Sequence, residues 1–181
     1  MTNLWSTLVP LIVGSAVVPI QIVITILLLR SSAGKRTAVA FVGGMTAVRL
    51  LQGLVFGLIL SSSEPADQTS GDSSTIVSVL LLVVAVLFLV TALRQLLHES
   101  DPDGEPPKWL KMTESIRPGK AFLLGAGLLA IGAKFWVFTL GAISAIGDAD
   151  LGRPASIITF LVFVLLAESA MLAVVLAAFL A

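Results

Sequence analysis

The chain has 181 residues, 57% of them hydrophobic and only 12% charged, about half the charge of a soluble domain of this length. Eleven basic and eleven acidic side chains cancel, which gives no reason to expect a nucleic-acid partner. The absence of cysteine excludes disulfides and thiolate sites, and the single His98 excludes a His-based metal cluster within one chain.

Met1 to Trp5 carry no base, so the first apolar run reads as a retained helix rather than a cleaved signal peptide. Five segments reach the roughly 20 apolar residues a spanning helix needs: 8–29, 38–60, 76–97, 121–146 and 155–181. None alternates as a membrane β-strand does, and a backbone in lipid must satisfy its own hydrogen bonds, so helices follow. The fold class expected is all-α, a polytopic bundle of five transmembrane helices.

The first segment holds Pro19 near its centre, with Gln21 beside it. A proline there kinks the helix, either to line a cavity or simply to pack. The second segment has Arg49 at its midpoint and Gln52 one turn later on the same face. Its Gly53 and Gly57 form a G-x-x-x-G, read as packing with weak evidence for a homodimer. The third segment has little polar content and reads as scaffold facing lipid. A polar, Pro-rich loop follows over 98–120, and its second half places Trp109, Met112 and Ile116 at helical spacing. That half is either a helix in the headgroup layer or a cap on the helix ends. Asp101, Asp103 and Glu105 resemble only the start of a calcium loop and read as a solvated acidic turn. The fourth segment centres beside Lys134, and the fifth on Glu168.

Basic residues concentrate in the first and third connections, at Arg30, Lys35, Arg36, Lys108, Lys111, Arg117 and Lys120, while the second carries Glu64, Asp67 and Asp72. The positive-inside rule then places the N-terminus outside and the C-terminus inside a cytoplasmic membrane. The chain divides into residues 1–98, a cytoplasmic loop over 99–120, and residues 121–181.

Arg49, Lys134 and Glu168 therefore fall at similar depth. Three charges facing lipid there would cost roughly 8–10 kcal/mol, so they are expected to face the bundle interior or a wet cavity. Glu168 can neutralise one cation, and the other points to an anionic ligand, bound water or a proton-coupled Glu168. The competing expectation is a purely structural salt bridge. Pro19, Gln21 and Gln52 complete the candidate binding set. No catalytic set, metal site, cofactor or G-x-x-x-x-G-K-[ST] phosphate loop is found, so no enzyme is expected.

The two halves look alike. Gly14-Ser-Ala-Val-Val-Pro-Ile-Gln21 resembles Gly127-Leu-Leu-Ala-Ile-Gly-Ala-Lys134, and Phe41-Val-Gly-Gly-Met-Thr-Ala-Val-Arg49 resembles Phe163-Val-Leu-Leu-Ala-Glu-Ser-Ala-Met171. One half starts outside and the other inside, as in inverted-repeat transporters.

Several stretches carry a family resemblance. They are Leu8-Val-Pro-Leu11, Leu27-Leu-Leu-Arg-Ser-Ser-Ala-Gly-Lys-Arg36, Ala38-Val-Ala-Phe-Val-Gly-Gly44, Arg117-Pro-Gly-Lys-Ala-Phe-Leu-Leu-Gly125 and Phe163-Val-Leu-Leu-Ala167, with Lys134 between the last two. In order and spacing the chain resembles the glycopeptidolipid- and sulfolipid-addressing proteins, the GAP or Sap-like family of the lysine-exporter superfamily. That resemblance implies two inverted halves of three helices and export of a lipid or small solute. The implied partners are membrane lipids, an anionic or amphipathic substrate and an envelope-export complex, in which a non-transporting accessory role is the alternative. The family's Asn-Pro-Lys reads Gly132-Ala133-Lys134 here, so only the lysine carries over. Five apolar segments leave the resemblance one helix short of its sixth, expected from beyond the chain or from another subunit.

Overall fold

The computed structural model describes residues 2–31, 33–62, 86, 89 and 116–180. Among them every regular element is α-helical: α1 Thr2–Ala16, α2 Pro19–Leu29, α3 Gly34–Ser62, α4 Pro118–Ile131, α5 Ala133–Asp148, α6 Arg153–Ala167 and α7 Ser169–Leu180. The third expected span, the acidic second connection and the loop with Trp109 and its short helix lie outside the described residues. Val86 and Leu89 are helical and exposed.

Only α3 is straight. Its stretch Gly34–Gly57 is long and apolar enough to cross a membrane. The other elements come as bent pairs, α1 with α2 at 47°, α4 with α5 at 72° and α6 with α7 at 62°. Counting each pair as one span gives up to four spans among the described residues, against the five expected.

Each break has a local cause. Val18 is extended at φ −116°, ψ 98° and precedes Pro19, which opens α2. Proline pushes the residue before it out of the helical region while suiting a first helical turn itself. Gly132, extended at φ −74°, ψ 99°, separates α4 from α5 without any proline. Glycine is the poorest helix former after proline, and that suffices here. Trp136 closes over this elbow, its Nε1–H donating to the Ala130 carbonyl at 2.8 Å. Its ring meets Phe56 of α3 edge-on at 5.8 Å. The third break is Glu168 itself, at φ −104°, ψ 2°.

Two apolar clusters hold these elements. One joins α2, α3, α4 and α7 through Leu28, Phe41, Met45, Ala121, Leu129 and Met171. The other joins α1, α5 and α6 through Leu8, Ala142, Ile146, Phe163 and Ala167. The α3–α4 crossing is close because it is built on glycine. A Cβ on Gly44 would strike the Phe122 carbonyl, and one on Gly125 the Phe41 carbonyl. Gly53 of the G-x-x-x-G packs inside the molecule against Phe160, while Gly57 meets nothing. The outer surface is apolar, with Leu51, Leu54, Leu123, Ile157, Leu165 and Leu176 all exposed. Such a surface is suited to lipid.

Candidate functional site

The site forms where broken helices meet the middle of α3. Buried residues along α3 fall on one stripe, Phe41, Met45, Arg49, Gln52 and Phe56. Helical spacing thus turns Arg49 inward, and its side chain is 0% exposed. Nη2 of Arg49 donates to Ser15 Oγ at 2.6 Å, one residue before the end of α1. Nε stands 3.4 Å from Oε1 of Glu168, whose side chain is 2% exposed. The other carboxylate oxygen, Oε2, takes a 2.5 Å hydrogen bond from Thr46 Oγ1, one turn before Arg49 on α3. That hydroxyl also lies 3.0 Å from the Val42 carbonyl. One guanidinium thus tethers the end of α1 and the α6–α7 elbow to the centre of α3.

The layer is polar beyond these bonds. Nη1 of Arg49, Oε1 of Glu168, both amide ends of Gln21 and Gln52, and the hydroxyl of Thr139 are buried without a hydrogen-bond partner among the described residues. Buried polar groups normally find partners, and leaving one unpaired costs about 1–3 kcal/mol. Gln21 lies in the first turn of α2 and Thr139 on α5, so all three bent pairs and α3 supply buried groups of this kind. Glu168 is its only acid among the described residues, which leaves a divalent cation a single carboxylate.

The structure brings Arg49 and Glu168 together, with Gln52 one turn along α3 and Pro19 and Gln21 at the α1–α2 break. It does not bring Lys134 to them. Lys134 is exposed in the first turn of α5, just past the Gly132 break, with Nζ 5.3 Å from the centre of its neighbour Phe135. Among the described residues the buried charges therefore balance one to one, with no second cation beside Glu168. Ser15, Thr46 and Thr139 are absent from the sequence-based set. Single hydroxyls in apolar helices have no distinguishing pattern, although Thr46 lies one turn from Arg49.

The family model described as Sap, sulfolipid-1-addressing protein, matches residues 8–181. No curated protein and no solved structure matches the chain. The match covers nearly the whole sequence, and the chain belongs to the sulfolipid-1-addressing protein family.

Proposed function

We propose that this chain is a secondary-transporter-like protein of the cytoplasmic membrane that exports an anionic, amphipathic molecule of the cell envelope, a lipid by the name of its family. The observation that carries the reading is Arg49, a guanidinium buried midway along the one straight span and surrounded by three broken ones. Broken helices at midplane are the usual construction of transporter sites. Arg49 binds the negative headgroup through Nη1, which has no hydrogen-bond partner among the described residues. Lys134, exposed beside the Gly132 break, meets the anion first. Gln21 and Gln52 supply uncharged hydrogen bonds, and Pro19 keeps the α1–α2 break open.

An inverted repeat of residues 1–98 and 121–181 supports the same reading. In the first pair of similar stretches Pro19 aligns with Gly132, and both mark helix breaks. In the second pair Thr46 aligns with Glu168, and these two side chains touch. Equivalent positions meet where a two-fold axis passes between repeats.

A second reading, an accessory subunit that scaffolds an envelope-export complex, is favoured by the burial of both charges, which suits a fastener of helices. Reconstituted vesicles separate the two. The purified protein is expected to move short-chain fluorescent phosphatidylglycerol between leaflets, with the Arg49→Gln, Lys134→Ala and Glu168→Gln variants at least roughly tenfold slower, about the 1.4 kcal/mol of one good contact. Unchanged flux in both Lys134→Ala and Glu168→Gln, each folded, would sink the transport reading in favour of the scaffold.

A further inference from the structure

Thr46 Oγ1 has one proton and two acceptors within reach, Glu168 Oε2 at 2.5 Å and the Val42 carbonyl at 3.0 Å. A hydroxyl donates once but also accepts. With Glu168 ionised, Thr46 donates to the carboxylate and forgoes the carbonyl. With Glu168 protonated, the carboxyl donates to Thr46 through Oε2 and Thr46 donates to the Val42 carbonyl, so the hydroxyl both accepts and donates. Thr46 therefore accommodates both forms of Glu168, whereas a partner that only donates would hold the charged form alone.

Arg49 responds differently to the two forms. Its contact with Glu168 is 3.4 Å through Nε, while its bond to Ser15 is 2.6 Å. Loss of the charge on Glu168 leaves the guanidinium anchored on α1 with its charge unopposed. Among the described residues, the elements packed around Glu168 supply no other charge at its level: α1 and α7 carry none, Lys35 and Arg36 lie at the start of α3, and Arg153 lies at the start of α6. Lys134 and Asp148 mark the two ends of α5.

We propose that the site binds its anion together with one proton: water on the side to which the site opens gives a proton to the Glu168 carboxylate, and the anionic group takes its place beside Arg49. This rests on the transport reading above and adds the co-bound ion. Charge is conserved at zero in both states, Arg49 with Glu168 in one and Arg49 with the ligand in the other. Neither state leaves a bare charge at midplane, a cost of about 2.5–3.5 kcal/mol on insertion scales. Glu168 is also the residue at which α6 turns into α7. Its release from Arg49 leaves that elbow held to α3 through Thr46 alone.

The test is binding of dihexanoyl phosphatidylglycerol to the detergent-solubilised full chain, whose phosphodiester keeps its charge throughout, between about pH 5 and 9. One coupled proton predicts a Kd that rises about tenfold per pH unit above the titration of Glu168. It also predicts a flat profile for Glu168→Gln. A flat profile in the unaltered protein, or an unchanged slope in Glu168→Gln, overturns the proposal. Infrared titration without lipid provides a second measurement. Beside the bands of the other ten acids, one further protonated carboxyl band is expected at low pH, absent in Glu168→Gln, shifted to higher frequency in Thr46→Val and unshifted in Thr46→Ser. Absence of that band, or its presence in Glu168→Gln, overturns the proton step. A titrating band with no lipid binding at any pH overturns the anion reading instead.

Discussion

Arg49 shows how a residue that lipid rejects is made stable. Its helix turns it inward, Ser15 accepts a hydrogen bond from it, and Glu168 supplies the opposite charge. Such a pair returns little when both partners are present, because two charges had to leave water. Removing one partner is another matter, since the survivor stays buried alone. Arg49→Gln is expected to lower unfolding stability by about 3–5 kcal/mol, and the double variant Arg49→Gln, Glu168→Gln to recover much of that loss. Denaturant titration of the purified protein in detergent measures both. A single variant as stable as the unaltered protein would show that the pair is already wet.

At the scale of elements, the helices were legible in the sequence and their breaks only partly so. Apolar length located the described spans, because a backbone in hydrocarbon has few alternatives to helix. Pro19 announced its own break through fixed proline geometry. The break at Gly132 has no such mark. Glycines recur throughout these helices, and Gly125 and Gly132 look alike in sequence. One serves a close crossing and the other an elbow, a difference made by the neighbours. Glu168 was legible as a misplaced charge but not as a bend, because the bend depends on its contacts with α3. Lys134 was drawn to the same depth by counting along one unbroken helix, and the 72° elbow turns it to the surface instead. Trp136 provides a test of that elbow. Its indole N–H satisfies the Ala130 carbonyl from a half-buried position where lipid offers no substitute. Trp136→Phe keeps the ring and removes the donor, so it is expected to cost about 1–3 kcal/mol. Hydrogen exchange should also quicken around Gly132. Unaltered exchange there would mean that the glycine alone sets the bend.

The whole molecule is polarised from end to end. Arg30 closes α2, Lys35 and Arg36 open α3, and Arg117 and Lys120 open α4. Leu28, Ala38, Ala121 and Val175, near these helix ends, lie in a single buried cluster. Phe179, near the end of α7, lies beneath Nζ of Lys35 at 5.2 Å, which brings the last helix to the same end. Asp148, Asp150 and Arg153 lie at the other end, at the α5–α6 turn, and Leu4 of α1 packs near them with Ile146. Five exposed cations without an acid among the described residues at their end match the cytoplasmic side of a membrane protein. The arrangement fixes which introduced groups must share a side. The native chain lacks cysteine, so single substitutions report without background. Arg36→Cys and Lys120→Cys are expected to react with an impermeant maleimide only after the cytoplasmic face is exposed, and Asp150→Cys in intact cells. Labelling of Arg36→Cys and Lys120→Cys from opposite sides would overturn the bundle itself. Labelling of both from outside would keep the bundle and invert it, placing Arg49 in the path of an anion that enters rather than one that leaves.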